Sequence, residues 1–382
     1  MGTLTWQSTK LSDLATSVSS GTTTQRKTDA RFTLYGSTGP IGLTDRAEFD
    51  GPSILVARVG ANAGTVYQVD GRYGVSDNTL VVRLAPNHDV NFYTEVLRGM
   101  NLNTMVYGSG QPLVTGSMIK ALHVPAISTA EQRRISGVLR VADTFISSLE
   151  GLIAKKQAIK QGMMQQLLTG KTRLPGFTEP WTKQHLGSVG SFLKGRGVKR
   201  DDVRSSGIPC LRYGELYTAF NDYTSFTNSF VSPDIAATAL PLRTGDLLFA
   251  GSGETREEIG KCVAYIGPTP AVAGGDIVVL RGDGFNPVYL GLLANTSVVV
   301  EQKSRAGQGD AVVHISSRAL ADIEVDLPPR DEQDAIAEVV VDADREISLI
   351  RGRLAKAKSI KQGMMQELLT GRTRLRIMEP SA

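Results

Sequence analysis

Apolar residues recur along two stretches of the chain at alternating spacings of four and three. The first stretch carries Ile135, Leu139, Ala142, Ile146, Leu149 and Ile153, and the second carries Ile336, Val340, Ala343, Ile347, Ile350, Leu354 and Ala357. This is the seam of a coiled coil, sustained for about three heptads. Ser128 followed by Glu131 makes a capping-box pattern before the first stretch, and Pro328-Pro329 with Asp331 precedes the second. Gly170 and Gly371 stand where a helix C-terminal glycine belongs. The pattern predicts two long helices. The first, from Thr129 to Thr169, is 41 residues, or roughly 60 Å at 1.5 Å per residue.

The two stretches are copies of one another. Residues 159–174 and 360–375 lie 201 positions apart (360 − 159) and differ only at Gln166 against Glu367 and Lys171 against Arg372. Both read Ile-Lys-Gln-Gly-Met-Met-Gln, one acidic or amide residue, then Leu-Leu-Thr-Gly, one cation and Thr-Arg-Leu. The register holds without a gap back to Glu131-Gln132 and Glu332-Gln333. One element of fixed length is therefore used twice. The simplest geometry pairs the two helices antiparallel about a pseudo-twofold axis. Gly162 and Gly363 each cost about 1 kcal/mol of helix propensity. Their presence in both copies points to close approach by a partner backbone, the alternative being plain inheritance through duplication.

Residues 1–127 and 179–328 read as short β-strands broken by glycine-rich turns. They correspond loosely. Ser53–Ala57 resembles Asp246–Ala250, Ser76–Val82 resembles Gly274–Leu280, and Trp6 before Leu11 matches Trp181 before Leu186. The span from Trp6 to Val124 is 118 positions and that from Trp181 to Val325 is 144, so the second carries a net 26 more. The reading is an α+β chain: β-rich domains at 1–127 and 179–328, and helical segments at 128–178 and 329–382. Constant helices beside divergent domains suit a spacer that carries two modules recognising different things.

Composition adds bounds. The chain has 382 residues, 41 % hydrophobic and 21 % charged, ordinary for a globular protein. No apolar run approaches the ~20 residues of a membrane span. No basic region followed by an apolar stretch opens the chain, so no secretory signal is expected. Cys210 and Cys262 are the two cysteines. They read as small buried side chains, exclude a disulfide framework and fit a reducing cytoplasm. His88, His123, His185 and His314 are too scattered for a metal site. The net charge of +4 permits nucleic acid without demanding it.

Basic, amide and hydroxyl side chains cluster among glycines in both β-rich segments. The candidates for phosphate or base-edge contact are Thr23, Gln25, Arg26, Lys27, Ser109 and Gln111 in the first segment. In the second they are Lys194, Arg196, Lys199, Arg200, Arg212, Tyr213, Lys303, Arg305 and Gln308.

The order of variable domain, constant helix, variable domain, constant helix, with the twice-used Lys-Gln-Gly-Met-Met-Gln motif, resembles the specificity subunit of type I restriction–modification enzymes over nearly the whole chain. That resemblance implies two target recognition domains, each reading half of a bipartite, asymmetric double-stranded DNA site. It implies an antiparallel coiled coil that sets the half-site spacing. Two modification subunits, which bind S-adenosylmethionine and methylate adenine, would dock on this chain, and ATP- and Mg²⁺-dependent restriction subunits would join through them. The chain itself would hold no cofactor or metal and catalyse nothing. The docking candidates are Gly162, Met163, Met164, Gly363, Met364 and Met365.

Enzymatic readings fare poorly. Gly170-Lys171-Thr172 resembles the end of a phosphate-binding loop, but Gln165 stands where that loop needs glycine. Pro233-Asp234 and Glu301-Gln302-Lys303 are too far apart, and have no counterpart in the first segment, to suggest a nuclease centre. The remaining competitor is an assembly protein whose two modules bind protein ligands.

Overall fold

A computed structural model of the chain describes residues 5–23, 26–105, 113–309 and 312–375. The chain folds as two compact units: unit one is Met1–Leu152 with Ile350–Ala382, and unit two is Ile153–Leu349. Four helices matter below: α1 (Val90–Gly99), α2 (Thr129–Leu167), α3 (Pro287–Ala294) and α4 (Arg330–Leu368). α2 and α4 are 39 residues each, close to the length expected from the seam. The units do not follow the sequence division at 127, 178 and 328. Each long helix is shared, its first part belonging to one unit and its second part to the other.

Unit one contains β1 (Ala15–Ser20), β2 (Phe32–Gly36), β3 (Gly39–Thr44), β4 (Phe49–Asp50), β5 (Ser53–Ala57), β6 (Val66–Val69), β7 (Arg72–Val75) and β8 (Thr79–Leu84). They form two four-stranded sheets, ordered β1-β8-β5-β6 and β3-β2-β7-β4. β2 and β7 run parallel. β5 is buried at every position, as a central strand covered on both faces must be. The Asp89 side chain accepts from Phe92 N at 2.8 Å and so starts α1. α1 packs Phe92, Val96 and Leu97 against Ile54, Val56 and Val82, in a core that also takes Ile135 and Leu139 of α2 and Leu368 of α4.

Unit two repeats this plan. Its two main sheets contain β9 (Ser191–Lys194), β10 (Ile208–Leu211), β11 (Tyr223–Thr224), β12 (Ser229–Val231), β13 (Leu240–Pro241), β14 (Leu247–Ala250), β15 (Cys262–Tyr265), β16 (Val272–Ala273) and β17 (Ile277–Arg281). The sheet orders are β9-β17-β14-β15-β11 and β12-β10-β16-β13. β10 runs parallel to β16, as β2 does to β7. The two correspondences read from sequence fall on equivalent strands, β5 with β14 and β8 with β17. Additions in unit two include β11 and the short helices Tyr213–Thr218 and Pro233–Thr238. Cys210 and Cys262 are both buried and free.

Within each unit the long helices pair antiparallel. In unit one Lys361 meets Asp143 at 2.7 Å and Lys358 meets Glu150 at 2.7 Å. In unit two Lys160 meets Asp344 at 2.6 Å and Lys156 meets Glu346 at 2.8 Å. Lys160 and Lys361 are repeat partners, as are Asp143 and Asp344, so the first pairing of each set is one contact made twice. The glutamine of each Glu-Gln pair has a matching duty. Gln132 accepts from Asp89 N at 2.8 Å and donates to Ile127 O at 2.8 Å; Gln333 accepts from Asn286 N at 2.9 Å and donates to Pro328 O at 2.9 Å. Each glutamine thereby ties the start of its long helix to the N-terminus of α1 or α3. Gly170 and Gly371 end the helices in the left-handed region, φ +66° and +80°. Trp181 lies against the first and Trp6 against the second.

Candidate nucleic-acid interface

In each unit the loops at one end of the sheets converge. In unit one the chain after β1 passes beneath the β7–β8 turn: a Cβ on Gly21 would stand 2.1 Å from Val75 O. Only glycine permits that approach. The equivalent Gly195 would meet Gly274 O at 2.0 Å, so the segment after β9 lies under the β16–β17 turn in the same way. Gly274 in turn abuts Val198 and Leu211, which brings the Lys194–Arg200 segment beside Arg212 and Tyr213.

The sequence candidates separate by exposure and partner. Arg26 is exposed and its stem crosses Gly42, whose added Cβ would stand 2.6 Å from the arginine Cγ. Lys27 is exposed but ion-paired with Asp45. Thr23 donates to Glu48 at 3.1 Å. Lys194, Arg196, Lys199 and Arg200 are all exposed along one segment. Arg212 is half-buried, 3.5 Å from Glu215. Tyr213 is 41 % exposed and lines a cleft with Tyr217, Glu254 and Glu258. Arg305 is exposed and paired with Glu301, and Gln308 exchanges backbone hydrogen bonds with His314 at 2.9 and 2.7 Å. Gln25, Ser109 and Gln111 lie outside the described residues.

Lys303 is a correction. It is 1 % exposed, and its ammonium donates to Gly260 O at 2.6 Å inside unit two. Burial holds its pKa down at about 8. A cation so enclosed cannot reach DNA. Its helix, Ser297–Ala306, turns Val299 and Lys303 together into the core, an i, i+4 relation that could have flagged it.

Sequence reasoning also passed over residues in the same loops. Arg58 follows β5 and its guanidinium donates to Asp77 O at 3.0 Å. In unit two Ser252 and His314 face each other across a short ladder, 2.9 Å from hydroxyl to ring nitrogen. The signal for Arg58 and Ser252 was positional: each stands just beyond an apolar central strand.

A second surface lies on the helices. Gly162 and Gly363 have nothing within 4 Å of an added Cβ. Met163 and Met164 pack partly against the unit-two core, Met364 and Met365 against that of unit one. Ile159 and Ile360 are 45 % and 52 % exposed. Beside each glycine lies a cleft, about 400 Å³ in unit one and 420 Å³ in unit two. Gln362, Met365, Gln366, Leu369 and Thr370 line the first; their repeat partners Gln161, Met164, Gln165, Leu168 and Thr169 line the second. Exposed positions farther up the helices have diverged, Val141 against Asp342, Phe145 against Glu346 and Leu152 against Arg353. Among the described residues no cluster of His, Cys, Asp and Glu could hold a metal ion, and no helix is long and apolar enough to cross a membrane.

Comparison with known proteins agrees with this architecture. Residues 4–161 match the family described as the type I restriction modification DNA specificity domain. The MjaVIII type I restriction enzyme specificity subunit of Methanocaldococcus jannaschii is 24 % identical over 345 residues, covering 85 % of this chain and 79 % of its own. The EcoprrI specificity subunit of Escherichia coli is 26 % identical over 118 residues, 31 % of this chain and 29 % of its own. Among solved structures, the type I restriction–modification S subunit from M. genitalium shares the fold with TM-score 0.64, 15 % identity and 97 % coverage of both chains. A chain from a study of complex assembly and conformational transition of the type I R-M system gives TM-score 0.57 and 18 % identity, covering 98 % of this chain and 100 % of its own.

Proposed function

We infer that this chain is a specificity subunit of the type I restriction–modification family, and from that premise that it reads a bipartite DNA sequence, one half-site with each unit. The observation that carries the reading is one fold built twice on matching helix ends, with the loops at the sheet ends made different. A duplicated frame with divergent loops suits two different short targets read in a fixed relation, which the paired helices would set. Exposed Arg26, Lys194, Arg196, Lys199 and Arg200 supply cations for phosphates, while amides and carboxylates in the loops suit base edges.

Docking of other subunits belongs to the helix ends. Folding alone does not require identical residues at exposed positions. Yet Ile159, Gln161, Gly162 and Gln165 reappear as Ile360, Gln362, Gly363 and Gln366. Two copies of one partner, each seated on one cleft, account for that identity. In a type I complex those partners are the modification subunits, with restriction subunits joining through them. Catalysis, S-adenosylmethionine and ATP then belong to the partners, and the complex works in the cytoplasm.

The test is to express the chain with its modification subunit in a host lacking adenine methylation and to sequence the modified adenines. Two short half-sites at a fixed gap support the reading. Methylation without a shared motif, or none in an assembled and active complex, refutes it and favours the protein-ligand alternative.

A further inference from the structure

We propose that the turn Asp77-Asn78 is a base-reading element of unit one, and that the Asn78 carboxamide reads one adenine of its half-site. This rests on the DNA-recognition reading above and assigns a residue within it. The turn joins β7 to β8, and its backbone is held from three sides. Arg58 donates to Asn78 O from its backbone N at 2.9 Å and to Asp77 O from its guanidinium at 3.0 Å. The Ser37 hydroxyl donates to Asn78 O at 3.1 Å. Just before the turn, Ser76 N donates to Tyr35 O at 2.9 Å.

Every one of these bonds uses backbone atoms of the turn. Both side chains are exposed, and the Asn78 carboxamide has no hydrogen-bond partner among the described residues. A rigid backbone presenting unengaged polar side chains is the arrangement expected of a preorganised contact. The turn also borders a cleft of about 480 Å³, shared with Arg26 and Ser37.

Unit two provides the internal control. Its equivalent turn is Gly274-Gly275-Asp276, held by the matching bonds: Gly251 N to Asp276 O at 2.7 Å and Gly274 N to Leu211 O at 2.9 Å. The two glycines stand at the positions of Ser76 and Asp77, so the frame does not need a side chain at Asp77, while Asp276 stands where unit one has Asn78 and keeps a short polar side chain there.

The chemistry separates base from phosphate. Asn78 is neutral and offers a donor and an acceptor in one plane, the complement of adenine N6 and N7 in the major groove. The neighbouring Asp77 carboxylate repels phosphate and accepts from exocyclic amino groups. A phosphate contact would call for the opposite charge.

The experiment uses the full chain with its co-expressed modification subunits. The probes are a randomised double-stranded oligonucleotide library and then single-base variants of the recovered site. Asn78→Ala should lose about 5- to 150-fold of the preference at one adenine–thymine pair of one half-site. The other half-site, read by unit two, should keep its preference and so report that the variant is folded. Asn78→Asp, an acceptor without the donor, should shift that position toward cytosine. An unchanged motif in Asn78→Ala overturns the proposal. So does weakening that is uniform across sequences, which would make Asn78 a backbone contact. If the unaltered complex itself returns no bipartite motif, the functional reading fails first.

Discussion

Replacing Gln132 with alanine should destabilise unit one while leaving unit two intact. The Gln132 side chain is 0 % exposed and closes two bonds to backbone atoms, from Asp89 N and to Ile127 O, both at 2.8 Å. Truncation leaves an N–H and a carbonyl unpaired in a buried site. At roughly 1–3 kcal/mol for each orphaned group, and with some relief by water, the loss is about 2–4 kcal/mol. With a urea slope of about 2 kcal/mol per molar, the midpoint falls by roughly 1–2 M. The two tryptophans make the assay local, since Trp6 belongs to unit one and Trp181 to unit two. Trp181→Phe leaves Trp6 as sole reporter, and Trp6→Phe leaves Trp181. Gln132→Ala should move the Trp6 transition alone, and Gln333→Ala the Trp181 transition alone. A shift under about 0.3 M, or equal shifts at both reporters, would refute the view that each glutamine anchors its own unit.

Three further outcomes follow from the same geometry. Replacing Lys194, Arg196 and Lys199 by alanine should weaken DNA binding for all sequences and reduce the salt slope by about one per lost phosphate contact, with subunit assembly unchanged; an unaltered titration at several salt concentrations excludes that segment. Under the proposed docking, Gly162→Trp and Gly363→Trp should each lose one copy of the modification subunit, read as complex mass by light scattering, and retention of both copies by both variants removes the clefts as docking sites. Lys303, held at about 8 against an ordinary 10.5, binds a proton in the unfolded chain that the folded chain lacks across roughly pH 8 to 10.5. The stability of unit two relative to a Lys303→Met variant should therefore rise with pH through that window, and parallel urea midpoints from pH 7.5 to 10 would contradict it.

Much of this was legible in the sequence because the helices carry a long, regular period. Ile135 to Ile153 spells out the seam, and the repeat gives the antiparallel partner. The strands β5 and β14 were visible as short apolar runs bounded by glycine. What was not legible depends on tertiary placement. No local signal says that α2 and α4 are each shared between units, because that depends on which half of the other helix each segment meets. Lys303 sits in a stretch of Gln, Lys, Ser and Arg that looks solvated, and only its phase relative to Val299 places it inside. Asp77 and Asn78 fall inside the match of Ser76–Val82 with Gly274–Leu280, and nothing local marks them as the turn before β8. Their significance appears only when Arg58 and Ser37, distant in sequence, are seen to hold their carbonyls.

The partition into units also orders synthesis. Unit two is a single continuous stretch, Ile153–Leu349, whereas unit one needs both Met1–Leu152 and Ile350–Ala382. On the ribosome, all of unit two is in hand before the closing helix of unit one exists. Until Leu368 and Leu369 emerge, Trp6, Ile135 and Leu139 lack part of their core. The domain made first is therefore completed last, and it spends most of translation with an apolar face open to chaperones or to a neighbouring nascent chain.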